Sequence, residues 1–313
     1  MPVGPSPHPA AIDTSKARHA DEFFMMTLLF RSYHTFITKS RLRLDRQLDT
    51  ISLMPGEKKT KRLIVANWKM NPGTLAEALR MFVDARKASA KATRVQTVIC
   101  APFPYLSALA NEVTGHRTVL GAQDCFYERS GAYTGEVSPS QLGSLGVRYV
   151  ILGHSERRQM GETNEMIARK VGAALKEGLV VILCVGESAR DEEGLFLSQV
   201  KQQIEECLRD IPRRYFLNLV MAYEPIWAIS THASGVESPE DMLQMGIFVR
   251  KTLGGICGKD IAVKVPILYG GSVDEKDISG YLERAGVDGA LVGKASLSSE
   301  TFAQIIKIAN ESR

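Results

Sequence analysis

Leu63-Ile64-Val65-Ala66-Asn67-Trp68-Lys69-Met70-Asn71 begins as an unbroken apolar run and ends abruptly in polar and charged residues. A run this short, without polar alternation, reads as a parallel strand buried on both faces. Seven more follow, at Val95–Cys100, Thr118–Ala122, Arg148–Leu152, Val180–Cys184, Asn218–Ala222, Val265–Tyr269 and Gly289–Val292. The segments between them carry helical spacing, as in Leu75, Leu79, Phe82 and Val83, or Met242, Met245, Phe248 and Val249. Ser138-Pro139 and Ser238-Pro239 each read as an N-cap followed by proline in the first turn, and Asp241 occupies a capping-box position after Ser238. Gly146, Gly178 and Gly286 stand just before a strand and read as helix exits. No Gly-x-Gly-x-x-Gly follows a strand, and no Gly-x-x-x-x-Gly-Lys-Ser/Thr occurs, so neither nucleotide fingerprint is present. The pattern predicts an α/β fold, a (β/α)8 barrel of eight parallel strands inside eight outer helices, as one catalytic domain over residues 59–313.

The rest of the chain sets bounds on this reading. Of 313 residues, 44% are hydrophobic and 24% charged, an ordinary globular balance. Lys+Arg minus Asp+Glu is 39 − 35 = +4, too mild to point to a nucleic-acid or membrane surface. The five cysteines are scattered, with no Cys-x-x-Cys pair, which fits reduced thiols in a cytoplasmic setting and excludes a zinc ribbon. Residues 1–58 read as an N-terminal extension, disordered or partly helical, with Met54 as an alternative start. In it an apolar patch (Phe23 to Phe30) precedes basic residues, the reverse of a secretory signal, and Asp13, Asp21 and Glu22 argue against a transit peptide.

In a barrel of this kind chemistry sits at the carboxyl ends of the strands. Lys69 at the first end puts an ammonium at the mouth, although a strand-end lysine also serves as a snorkelling surface residue. The fourth end reads Gly153-His154-Ser155-Glu156-Arg157-Arg158. A short helix beginning at Ser155 would favour a neutral imidazole on His154, able to donate a hydrogen bond to a substrate oxygen. Glu156 and Arg157 are candidates for an ion pair with each other. At the sixth end Pro225 holds Glu224 extended, and Tyr223 and Trp227 are expected to desolvate its carboxylate into a useful base; a salt-bridged structural Glu is the alternative. The small-residue stretch from Ala228 to Gly235 reads as a lid. Glycines in Tyr269-Gly270-Gly271-Ser272 and Gly293-Lys294-Ala295-Ser296 would let backbone N–H groups approach a phosphate.

Together these segments resemble the triosephosphate isomerase family from about Arg62 to the end of the chain. Asn67 to Asn71, Gly153 to Arg158, Tyr223-Glu224-Pro225-Ile226-Trp227-Ala228 and Tyr269-Gly270-Gly271-Ser272-Val273 are similar to its signatures and stand in the same order. The resemblance implies a triose-phosphate isomerase of glycolysis and gluconeogenesis, with no metal or organic cofactor. It makes Glu224 the base, His154 the electrophile, Lys69 the electrostatic group, Asn67 an orienting residue and Glu156 an auxiliary acid. Asn67, Lys69, Ser230, Ser272, Gly293 and Lys294 would bind substrate and its phosphate. Gly131-Ala132-Tyr133-Thr134-Gly135-Glu136 is similar to the family's dimer loop, so Thr134 and Glu136 imply a homodimer, with no nucleic-acid or membrane partner. Two departures stand out. Ala228-Ile229-Ser230-Thr231-His232 replaces the family's Ala-Ile-Gly-Thr-Gly, and Lys294 replaces the second glycine after the last strand. Another phosphosugar isomerase or epimerase, or a phosphosugar-binding barrel without turnover, remain the competing readings.

Overall fold

The computed structural model describes residues 61–191, 194–229 and 238–312. Eight strands in it, β1 (Arg62–Asn67), β2 (Val95–Ala101), β3 (Thr118–Ala122), β4 (Tyr149–Leu152), β5 (Val180–Val185), β6 (Leu219–Tyr223), β7 (Ile267–Tyr269) and β8 (Gly289–Val292), lie in sequence order. Each neighbouring pair is parallel, and β8 pairs with β1 to close the barrel. The predicted strands are therefore all present, with ends moved by one or two residues. Asn218 ends a 3-10 turn, Arg213–Asn218, instead of opening β6. β7 starts only after Pro266, which has no N–H to give to the ladder but accepts from Met221 N–H (2.9 Å).

Both faces of the strands are buried, which is why each reads as continuous apolar sequence. Leu63, Val65, Val98, Cys100, Ile151, Ile182, Cys184, Val220, Ala222, Leu268 and Leu291 fill the barrel interior. The alternating set, including Ile64, Ala66, Ile99, Leu120, Leu152, Leu183 and Tyr223, packs outward against the helices. Helix Leu75–Ser89 buries Ala78, Met81, Phe82 and Ala85; Leu79 and Val83 are half-buried, and Leu75 in the first turn is exposed. Helix Pro239–Cys257 buries Met242, Met245, Val249 and Leu253 and leaves Phe248 half-buried.

Helix ends follow the sequence with one correction. Gly146, Gly178 and Gly286 take φ of 77°, 80° and 63°, the left-handed exit that favours glycine. The reciprocal capping box is at Ser138: its N–H donates to Gln141 Oε1 (2.8 Å) and Gln141 N–H donates to Ser138 Oγ (3.2 Å). At Ser238, Oγ does accept Asp241 N–H (3.1 Å), but the Asp241 carboxylate takes the Ser238 hydroxyl (2.7 Å). Aspartate is a methylene shorter than glutamate or glutamine, and it meets the side chain where the box requires the backbone N–H. No described helix is long and apolar enough to cross a membrane. The extension over residues 1–58, with Met54, lies outside the described residues.

Beyond β7, Asp277 Oδ1 accepts Asp274 N–H (2.9 Å). Desolvation pushes the Asp277 carboxyl up to about 6; that backbone bond opposes the shift, and the Asp274 and Glu275 carboxylates add to it. The folded state thus holds this proton more tightly than the unfolded chain. Stability is lost as pH rises from about 4 towards 6, and the penalty is complete above that. Asparagine keeps the acceptor oxygen without the charge. Asp277→Asn is expected to stabilise by about 1 kcal/mol at pH 7.5, after allowance for partial exposure, and by almost nothing at pH 4. Thermal melts of both proteins at the two pH values check this.

Candidate active site

The first strand end is held in an unusual conformation. Lys69 has φ 53°, left-handed for a non-glycine residue, a conformation that costs about 1–2 kcal/mol. Two side chains secure it. Asn67 Oδ1 accepts Lys69 N–H (3.0 Å), and Gln123 Nε2 donates to Lys69 O (2.8 Å) and Cys100 O (2.9 Å). The ammonium meets Glu156 Oε1 at 2.7 Å, with both side chains partly exposed.

Helix Ser155–Gln159 starts where the sequence placed it, with His154 as its N-cap. Glu156 N–H donates to His154 Nδ1 (3.2 Å), so Nδ1 is an acceptor and the proton of a neutral ring sits on Nε2. Nε2 lies 3.4 Å from Glu224 Oε1. Glu224 is 2% exposed; its Oε2 accepts Ser155 N–H (2.9 Å), while Oε1 is buried without a hydrogen-bond donor among the described residues. A buried carboxylate oxygen left free of donors keeps its lone pairs for a substrate proton.

Two expectations about neighbours are corrected. Glu156 and Arg157 do not pair with each other: Glu156 meets Lys69, and Arg157 binds Asp124 Oδ2 (2.8 Å) and Glu162 Oε1 (3.3 Å). Successive helical residues point about 100° apart, so adjacent side chains diverge. Tyr223 and Trp227 do not enclose the Glu224 carboxylate either. Both donate to Glu187 Oε1, at 2.7 and 3.0 Å. Residues alternate across a strand, so Tyr223 faces outward where Glu224 faces the barrel mouth.

The last two strand ends close the ring around this cluster. A Cβ on Gly270 would lie 2.9 Å from Glu224 Cγ, and one on Gly293 would lie 3.6 Å from Lys69 Cε. The loops after β7 and β8 therefore flank the base and the ammonium. Ser272 and Lys294 are exposed and Gly293 is half-buried; Lys294 opens the 3-10 turn Lys294–Leu297. Lys69, His154, Glu156 and Glu224 thus come from three separate strand ends to one place, with Asn67 beneath them. Ser230 and His232 lie outside the described residues.

A family profile described as triosephosphate isomerase matches residues 62–309. The chain belongs to the triosephosphate isomerase family. It is 43% identical over 246 residues to a triosephosphate isomerase of Thermoanaerobacter sp. (strain X514), a match covering 78% of this chain and 98% of that protein. Similar agreement holds with the triosephosphate isomerases of Carboxydothermus hydrogenoformans (41% over 251 residues, 79% and 98% covered) and Symbiobacterium thermophilum (42% over 253 residues, 80% and 98% covered). As a member of that family the chain is an isomerase enzyme.

Three groups at strand ends escaped the sequence reading. Gln123 follows β3 and fixes Lys69. Glu187 follows β5 and is fully buried beneath Trp227 and Tyr223. The path of the chain requires Gly186 beside it, since a Cβ there would sit 1.8 Å from Glu224 O. Asp124, also after β3, joins Lys170, Glu162 and Arg157 in a buried network under the β4 end, with Lys170 Nζ 2.9 Å from Asp124 Oδ1. Desolvation raises the Asp124 carboxyl above its ordinary value, against the charge of Lys170. A surface groove of about 890 Å³ lies elsewhere, between Tyr127, helix Asn164–Lys176 and Tyr215, and contains none of the converging residues.

Proposed function

We propose that this chain interconverts dihydroxyacetone phosphate and D-glyceraldehyde 3-phosphate by proton transfer through an enediolate. Glu224 removes a proton from the carbon beside the ketone carbonyl, and the carbonyl oxygen takes up the electron pair. His154 donates its Nε2–H to that oxygen and moves a proton between the two oxygens of the enediolate. The proton held by Glu224 is returned to the neighbouring carbon, leaving the aldehyde. Lys69 stabilises the developing negative charge and the phosphate, Asn67 orients the substrate, and Glu156 fixes the ammonium. Backbone N–H groups at Ser230, Gly293 and Lys294, with Ser272, hold the phosphate.

The observation that carries this reading is the convergence of a Glu224 oxygen that accepts no hydrogen bond among the described residues, an imidazole whose Nδ1 is an acceptor and whose Nε2 lies 3.4 Å from that oxygen, and an ammonium. A carbanion beside a carbonyl needs a base on carbon together with preorganised donors on oxygen, and the three groups supply both. The test is turnover of either triose phosphate by the purified full-length chain, followed with a dehydrogenase that consumes the product. Saturable interconversion is expected, and folded protein without turnover would overturn the reading.

The same reading includes a homodimer. Residues 131–136, with Thr134 and Glu136, are exposed, and Met70, Phe103, Tyr133 and Met160 expose apolar surface on the segments that follow β1 to β4. A partner over that face would remove this surface from water. Sedimentation is expected to give twice the chain mass, and a monomer at micromolar concentration would contradict it.

A further inference from the structure

Arg190 takes no part in the isomerase mechanism above, yet it touches Tyr223 and Trp227, the residues just before and three after the base in the chain. It lies in the loop after β5, where Asp191 clamps the following helix by accepting Leu195 N–H (2.7 Å) and Phe196 N–H (3.0 Å). From that anchored turn the guanidinium reaches four elements. Its Nε donates to Glu187 Oε1 (3.2 Å), and its Nη2 donates to Tyr223 Oη (3.1 Å). Its Nη1 lies 3.8 Å from Asp241 Oδ1, at the start of helix Pro239–Cys257. Its Cζ lies over the rings of Trp227 (5.0 Å from the centroid) and Phe196 (5.3 Å).

The chemistry of this cluster is a charge balance. Glu187 is fully buried, and one of its oxygens gathers the Tyr223 hydroxyl, the Trp227 indole N–H and Arg190. Arg190 is the cation paired with it among the described residues. Tyr223 precedes Glu224 directly, and Trp227 follows it by three residues; Glu187 O also accepts Ile226 N–H (3.0 Å). The chain on both sides of the base is therefore tied to Glu187, whose buried carboxylate pairs with the partly buried Arg190, and that cation lies over the indole.

We infer that Arg190 is a positioning residue for this reaction: its guanidinium neutralises Glu187 and fixes Tyr223 and Trp227, and through them the carboxylate of Glu224. The inference rests on the isomerase reading, but it would hold or fail separately. An arginine is needed because ammonium lacks the flat fork that bonds Glu187 and Tyr223 at once beside the Trp227 ring.

The experiment uses the full-length protein and four variants: Arg190→Met, Arg190→Lys, Glu187→Gln and the double Arg190→Met/Glu187→Gln. In Arg190→Met a buried carboxylate loses its counter-charge, and kcat for triose phosphate is expected to fall about ten- to a hundred-fold, because small misplacement of a reacting group is costly. Arg190→Lys, which keeps the charge opposite Glu187 and so is expected to fold, is expected to lose less. The double variant, which leaves no buried carboxylate at position 187 without its counter-charge, is expected to recover at least about three-fold over Arg190→Met, a coupling that simple loss of packing would not give. Tryptophan emission provides a reading independent of turnover, since Trp68 is fully buried and Trp227 is the other tryptophan. Emission is expected to shift in both Arg190 variants. If the parent turns over but Arg190→Met and Arg190→Lys keep kcat within about two-fold, or if the double variant recovers nothing, the inference fails and the isomerase reading stands. If the parent shows no turnover, the isomerase reading fails, and unchanged emission in the Arg190 variants would remove the inference as well.

Discussion

Glu224→Gln is expected to lower kcat by about a thousand-fold or more, near 4 kcal/mol of transition-state stabilisation, with the fold intact. Glutamine is isosteric, and its amide oxygen can still accept the Ser155 N–H that Glu224 Oε2 accepts at 2.9 Å. It cannot take a proton from carbon at neutral pH. Glu224 Oε1 has no donor among the described residues, so the substitution removes a base and leaves no broken hydrogen bond there. Steady-state kinetics beside a thermal melt separates the two effects. A loss below about ten-fold would mean that another group carries the proton.

Lys69→Met should follow with a loss of about a hundred- to a thousand-fold in kcat/KM, the scale on which a preorganised donor to a developing oxyanion acts. Methionine keeps much of the stem and removes the charge. Stability should change by less than about 1 kcal/mol, because the Lys69–Glu156 pair is partly exposed and Glu156 remains solvated without it. The contacts of Asn67 and Gln123 go to the Lys69 backbone, so the left-handed turn survives the exchange. Kinetics at low and high salt provides the check: the parent should weaken with salt more than the variant does.

Much of this is legible in the sequence, for reasons that differ from residue to residue. The barrel followed from strands buried on both faces, which leave unbroken apolar runs such as Leu63–Ala66, and from their eightfold alternation with helices. His154 and its short helix were legible because Gly153-His154-Ser155 follows the apolar run of β4, and the backbone does begin a helix at Ser155. Partnerships were not legible. Which carboxylate Arg157 meets depends on helix azimuth and on Asp124 arriving from another strand end. That Tyr223 and Trp227 serve Glu187 depends on the outward face that Tyr223 takes on β6 and on the helical turn Ile226–Ile229 that carries Trp227. Glu187 and Gln123 did carry a signal, a polar side chain immediately beyond an apolar run, the same one that marked Lys69. The chain from 230 to 237, which includes Ser230 and His232, lies outside the described residues, so the consequence of its departures from the family's lettering belongs to kinetics.

The most direct test of proton transfer by the converging groups is the fate of hydrogen at the substrate carbons, followed by proton NMR in deuterium oxide. With dihydroxyacetone phosphate and the full-length chain, the account predicts that product and recovered substrate acquire solvent deuterium beside the carbonyl, and that Glu224→Gln abolishes this at equal protein. Conversion with no deuterium entering either compound, or exchange that persists undiminished in Glu224→Gln, would contradict it.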